Sequence, residues 1–203
     1  MSITHITHAL RQAHDALTRL LEDAPTLHNV ADAGALIAAS LRNGGRIYSC
    51  GNGGSMCDAM HFAEELSGRY RSDRPAYAAV SISDPSHLSC VGNDYGYEFV
   101  FSRYVEAHAR AGDVLLAITT SGNSANVLRA AEAARARGVK VVALTGRRGS
   151  KLDALADIVI ATTGTSGYAD RVQELHIKVI HILIELVERD LAPENYAEKL
   201  PEQ

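Results

Sequence analysis

The sequence predicts an α/β protein, a three-layer sandwich in which a five-stranded parallel sheet carries helices on both faces. Three observations lead there. Five short apolar runs alternate with segments of helical periodicity, the pattern of a parallel sheet with crossover helices. The third run, Asp113–Thr119, is nearly all apolar, as a strand buried on both faces should be. Two of the runs, the first and the third, lead into loops of Gly, Asn, Ser and Thr that open helices. Ligands in such sheets bind beyond the strand C-termini, where these two loops fall.

Two helices precede the first strand. Residues 2–22 form an amphipathic helix with Ile3, Ile6, Leu10, Leu17, Leu20 and Leu21 on one side, broken by Asp23–Pro25. A second helix runs from about Thr26 to Arg42 and stops at Asn43-Gly44-Gly45. The expectation is an arm that packs on a partner subunit; the alternative is that both helices only cover the sheet.

The first strand, Arg46–Cys50, leads into Gly51-Asn52-Gly53-Gly54, a loop that can take positive φ and let a ligand approach the backbone. Ser55 is the expected N-cap of the helix that follows and ends near Gly68. The free N–H groups and dipole of that helix start favour an anion. The loop lacks the Lys-Ser/Thr ending of a P-loop and the spacing of a dinucleotide fold. One turn further, His61 and Glu65 stand at i and i+4 on one face, a candidate metal or proton-transfer pair.

A basic turn, Arg69–Pro75, precedes a second strand at about Tyr77–Ser83. Asp84-Pro85-Ser86 opens a short helix through Val91, after which Asn93 and Asp94 cap and turn the chain, or hydrogen-bond a polyol. A helix from Tyr97 to Ala109 follows. After the third strand, Thr119-Thr120-Ser121-Gly122-Asn123-Ser124 sets hydroxyls and N–H groups at the start of a helix over 125–137. Many donors and no carboxylate suit a phosphate. The fourth and fifth strands are Val139–Thr145 and Asp157–Thr162. The last helix, about Ala169–Asp190, has almost no polar face in its second half, which implies an oligomer core; Gln173, His176 and His181 interrupt it.

The 203 residues suit one domain with a sizeable core, and 46% apolar content excludes disorder. No apolar run approaches the length of a membrane span. The net charge of −4, with no dense Lys/Arg stripe, argues against a nucleic-acid surface. The first ten residues show no basic and apolar export signal, and three cysteines without paired spacing read as reduced thiols in a cytoplasmic protein.

Four stretches together resemble the sugar isomerase (SIS) domain family, and closely its phosphoheptose isomerase branch: C-G-N-G-G-S-x-C-D-A-M-H-F-A-E-E-L, S-C-V-G-N-D-Y-G, T-S-G-N-S-A-N-V and Y-A-D-R-V-Q-E-L-H-I-K-V-I-H-I-L. The resemblance implies a flavodoxin-like five-stranded sheet and a homotetramer with active sites between subunits. It divides the chain into an arm (1–43), a SIS domain (44–190) and a polar tail (191–203). It also implies conversion of sedoheptulose 7-phosphate to D-glycero-D-manno-heptose 7-phosphate, toward the heptose of lipopolysaccharide core or related glycans. Residues matching the family's divalent metal site, usually zinc, are His61, Glu65, Gln173 and His181, of which Glu65 and His181 are also the acid/base pair. Its sugar-phosphate contacts match Asn52, Gly53, Gly54, Ser55, Glu65, Asn93, Asp94, Thr119, Thr120, Ser121, Ser124 and Gln173. The family commonly has Ser where Thr119 stands, which keeps the hydroxyl, and the loop Thr162–Gly167 is slightly longer than usual.

An aldose–ketose interchange through an enediolate needs a base at the carbon acid, a second group for the hydroxyl proton, and positive charge near the enediolate oxygens. Glu65 and His181 suit the first two roles. Gln173 and His181 lie about 12 Å apart along a regular helix. His61 and Glu65 are therefore expected from one chain and at least one of Gln173 and His181 from another. Two further readings compete. One is a non-catalytic SIS protein that binds the replication initiator, which would not keep the Glu and His retained here. The other is an isomerase or sensor for another sugar phosphate.

Overall fold

The computed structural model describes residues 2–164 and 167–196. Helices α1 (Ile3–Glu22) and α2 (Ala24–Arg42) come first. Then follow β1 (Ile47–Cys50), α3 (Gly54–Ser67), β2 (Ala79–Ser81), α4 (Pro85–Asp94) and α5 (Ser102–His108). The chain ends with β3 (Val114–Thr119), α6 (Ala125–Ala136), β4 (Lys140–Thr145), β5 (Ile158–Ala161) and α7 (Ala169–Leu191). The strands form one parallel sheet in the order β2-β1-β3-β4-β5, the flavodoxin-like order expected.

Alternation along the strands divides the core in two. Ile47, Val114, Leu116, Ile118, Val142 and Leu144 face one side, where α1, α2, α3 and α7 close over them. Tyr48, Cys50, Leu115, Ala117, Val141 and Ala143 face the other, under α4, α5 and α6. Helix α2 belongs to the first layer: Val30, Ala33, Ile37 and Ala38 are buried in it. Helix α1 buries only Ala16 and Leu20 and leaves Ile3, Ile6, Leu10 and Leu21 exposed. Among the described residues no helix is long and apolar enough to cross a membrane.

Several boundaries differ from the sequence reading. Strand β2 is short because the Tyr77 N–H donates to the Leu66 carbonyl at the end of α3 instead of the sheet. Ser55 does not cap α3: Gly53, at φ 56°, is the N-cap, so the helix starts at Gly54 and Ser55 is buried inside its first turn. Helix α4 runs through Gly92 to Asp94, so Asn93 and Asp94 are its last residues, not a turn after it. The span 97–109 splits into a 3-10 turn, Tyr97–Phe99, and α5. The tail begins as a further 3-10 turn, Pro193–Tyr196, fastened to α7; its remainder, 197–203, and residues 165 and 166 of the longer loop lie outside the described residues.

Candidate active site

Helices α3 and α7 run side by side in the same direction, and matched pairs of residues join them. A Cβ on Gly54 would meet the Gln173 side-chain amide at 2.7–2.8 Å, so only glycine lets Gln173 lie on the first turn of α3. Two turns on, Nε2 of His61 and Nε2 of His181 are 2.9 Å apart, their rings edge to face. Glu65 Oε1 lies 3.7 Å from the same His61 nitrogen. One chain thus gathers His61, Glu65 and His181. It does not bring Gln173 to them: that amide stays at the glycine loop, so the contribution expected from a second chain rests on Gln173 alone.

Two residues overlooked in the sequence shape this cluster. Glu64 Oε1 is 3.1 Å from Nδ1 of His61. A ring that donates Nδ1–H there keeps a bare Nε2 toward Glu65 and His181. The signal was present, since Glu64 stands at i+3 from His61. Tyr70, from the basic turn, lies against the His181 ring with centroids 5.9 Å apart.

The electrostatics bring the acidities of Glu65 and His181 closer together. Burial, and then the neighbouring Glu64 charge, raise the Glu65 pKa. Burial, and then the His61, Lys178 and Arg71 charges, lower that of His181. The carboxylic acid and the imidazolium are moved toward each other, as a shared proton relay requires.

The donor set also fits a small divalent cation. Among the described residues, His61, Glu64 and Glu65 offer ligand atoms within 4.8 Å of one another; His181 is not in that group, although its Nε2 lies 2.9 Å from Nε2 of His61, and Glu64 faces the other ring nitrogen. Neighbouring ligands of a tetrahedral zinc bound at about 2.0–2.1 Å stand roughly 3.3–3.4 Å apart. The separations of 2.9 and 3.7 Å from His61 Nε2 bracket that value.

The second loop is pre-assembled. Thr119 Oγ1 lies 3.0 Å from Ser124 Oγ and 3.3 Å from Ser121 Oγ, and Ser121 Oγ accepts from the Asn123 N–H. Thr120 and Ser121 border a cavity of about 410 Å³ together with Arg147, Thr163 and Tyr168. Arg147 donates from Nε to the Ser121 carbonyl, which adds a positive charge absent from the sequence reading.

The two loops meet through Asn52 and Asn126. Each side-chain amide donates to the other's carbonyl oxygen, at 2.9 and 2.8 Å, and the Tyr97 hydroxyl also donates to Asn52. Asn126 is buried. Asn93 donates to Asp94, and both sit exposed at the end of α4; among the described residues neither bonds another expected site residue.

Residues 10–146 match the SIS domain family. A phosphoheptose isomerase of Tolumonas auensis is 61% identical over 187 residues, 92% of this chain and 97% of its own. The phosphoheptose isomerase of Klebsiella pneumoniae is 59% identical, over 92% and 96%. Among solved structures, a phosphoheptose isomerase from Francisella tularensis superposes with a TM-score of 0.86 at 32% identity, covering 93% of this chain and 99% of that one. Another from Neisseria gonorrhoeae gives 0.77 at 41%, covering 91% and 95%. The chain therefore belongs to the SIS domain family and, within it, to the phosphoheptose isomerases.

Proposed function

We propose that the protein converts sedoheptulose 7-phosphate to D-glycero-D-manno-heptose 7-phosphate through an enediolate, the entry step to heptose for lipopolysaccharide core or related glycans. The carrying observation is that Glu65 and His181 converge on one nitrogen of His61. Glu65 is the base that takes the proton from C1 and returns it at C2. His181, neutral at working pH, moves the hydroxyl proton and assists ring opening. The hydroxyls of Thr119, Thr120, Ser121 and Ser124 take the phosphate. Asn52, Ser55, Asn93, Asp94, Gln173 and the N–H groups of Gly53 and Gly54 take the polyol.

His61, Glu65 and His181 of one chain, with Gln173 supplied by a second copy, would hold a zinc ion. When bound, such a cation supplies the positive charge that an enediolate needs. The exposed apolar face of α1 is the surface through which copies assemble into a homotetramer in the cytoplasm.

The test is turnover of sedoheptulose 7-phosphate with added zinc, beside Glu65→Gln and His181→Gln. Each variant should lose about 10²–10⁴-fold in kcat while remaining folded. Near-full turnover by either removes that residue from its role.

A further inference from the structure

Below the acid/base pair lies a second link between α3 and α7 with no part in the chemistry itself. Arg74 and Glu188 form an ion pair at 2.8 Å, both side chains fully buried. The Arg74 guanidinium also donates to three backbone carbonyls at the end of α3: Glu65 at 2.6 Å, Leu66 at 2.9 Å and Gly68 at 2.8 Å. Its far face rests on the Tyr77 ring, 4.3 Å from the centroid. Glu188 stands two turns after His181 on α7, and its second oxygen accepts from the Tyr196 hydroxyl at 2.7 Å. Tyr196 is in turn covered by Arg189 and Arg71.

From this geometry we propose that Arg74 is a positioning residue for proton transfer, set by Glu188 and locked by Tyr196 of the C-terminal turn. The four carbonyls that end a helix have no partner within it, so their direction is set by whatever donor they meet. Here one planar fork meets three of them, including the carbonyl of the residue that carries the base. The same fork is anchored to the helix that carries His181. The distance from base to acid is therefore fixed at both ends by one guanidinium. Lysine keeps the charge but cannot reach three carbonyls and a carboxylate at once. The inference rests on Glu65 and His181 acting as the proton-transfer pair.

The experiment takes the zinc-loaded full chain as Arg74→Lys and Tyr196→Phe, with Glu65→Gln alongside. It measures kcat per folded chain, KM, and the isotope effect on kcat with sedoheptulose 7-phosphate deuterated at C1. A displaced base slows the proton step and leaves binding alone. Arg74→Lys should lower kcat by about 10²-fold and Tyr196→Phe by about threefold to tenfold, with KM within about twofold. The isotope effect should be at least as large as the wild type's. An Arg74→Lys enzyme that keeps kcat within about threefold, that loses through KM, or whose isotope effect shrinks toward one overturns the proposal. If Arg74→Lys does not fold, Tyr196→Phe decides by the same three readings. Should Glu65→Gln itself turn over normally, it is the acid/base assignment that fails.

Discussion

Glu64 Oε1 sits 3.1 Å from Nδ1 of His61, while His181 approaches that ring at its other nitrogen. The carboxylate fixes which imidazole nitrogen is free for a cation. Glu64→Ala should weaken zinc binding about 10–100-fold, read by competition with a chelating dye. Saturating zinc should restore most of the turnover, because the acid/base pair is untouched. Unchanged zinc affinity would show that Glu64 does not orient the ring.

Gly54→Ala isolates the other end of the α3–α7 seam. Alanine is the better helix former, by about 1 kcal/mol. The backbone at Gly54 is helical, so the fold should survive. The new Cβ would stand 2.7–2.8 Å from the Gln173 amide and push that flexible end away. Turnover should fall about tenfold or more with the melting temperature held or raised. Wild-type kinetics would mean that Gln173 at this position does nothing for the reaction.

In the hydroxyl loop, Ser124→Ala removes one oxygen and leaves Thr119 Oγ1 with Ser121 as its partner. A lost hydrogen bond to a charged group costs about 1.5–3 kcal/mol. KM for sedoheptulose 7-phosphate should rise by about ten- to a hundredfold, with a smaller change in kcat. Inorganic phosphate should weaken as an inhibitor in parallel. Loss of kcat alone would place the phosphate elsewhere.

His176 supplies a pH dependence unconnected with catalysis. It is fully buried, and burial pushes its pKa down to about 4, offset in part by the backbone at Thr145. The unfolded chain takes up that proton near pH 6.5, the folded chain only near 4. Stability from this group is therefore complete above about 6.5 and is lost as the pH falls toward 4, by about 3 kcal/mol in all. Denaturant melts of wild type and His176→Leu at pH 7 and pH 4.5 should show the difference between them shifting in favour of the leucine variant in acid. A gap that stays constant means that His176 is not the titrating group.

Much of this architecture could be read before any coordinates. The apolar runs at 47–50, 114–119 and 140–145 mark strands because burial on both faces leaves few places for polar residues: Ser49 donates to the Ala59 carbonyl, Lys140 stands exposed at the start of its strand, and Thr119 and Thr145 close theirs. The glycine loop and the hydroxyl loop announce themselves by composition. Local signals misled where a residue has two conformational options. Ser55 looks like a cap, but Gly53 takes a positive φ and moves the helix start forward. Gly92 looks like a stop, yet nothing crowds it and α4 continues. Asn126, Tyr70, Arg147 and Arg74 were beyond reach, since each acts on a partner distant along the chain or through a backbone carbonyl. Glu64 was within reach, one turn from His61.

Strand β1 sits between β2 and β3, with Ile47 paired to Ala79 on one side and to Val114 on the other. During synthesis that strand leaves the ribosome long before its second neighbour exists. Until Val114–Thr119 emerges, Ile47–Cys50 lacks its neighbour on that side, and such distant pairings slow folding. For this enzyme the exposed edge of an unfinished sheet, more than any weakness of the finished one, is where a chaperone should be needed.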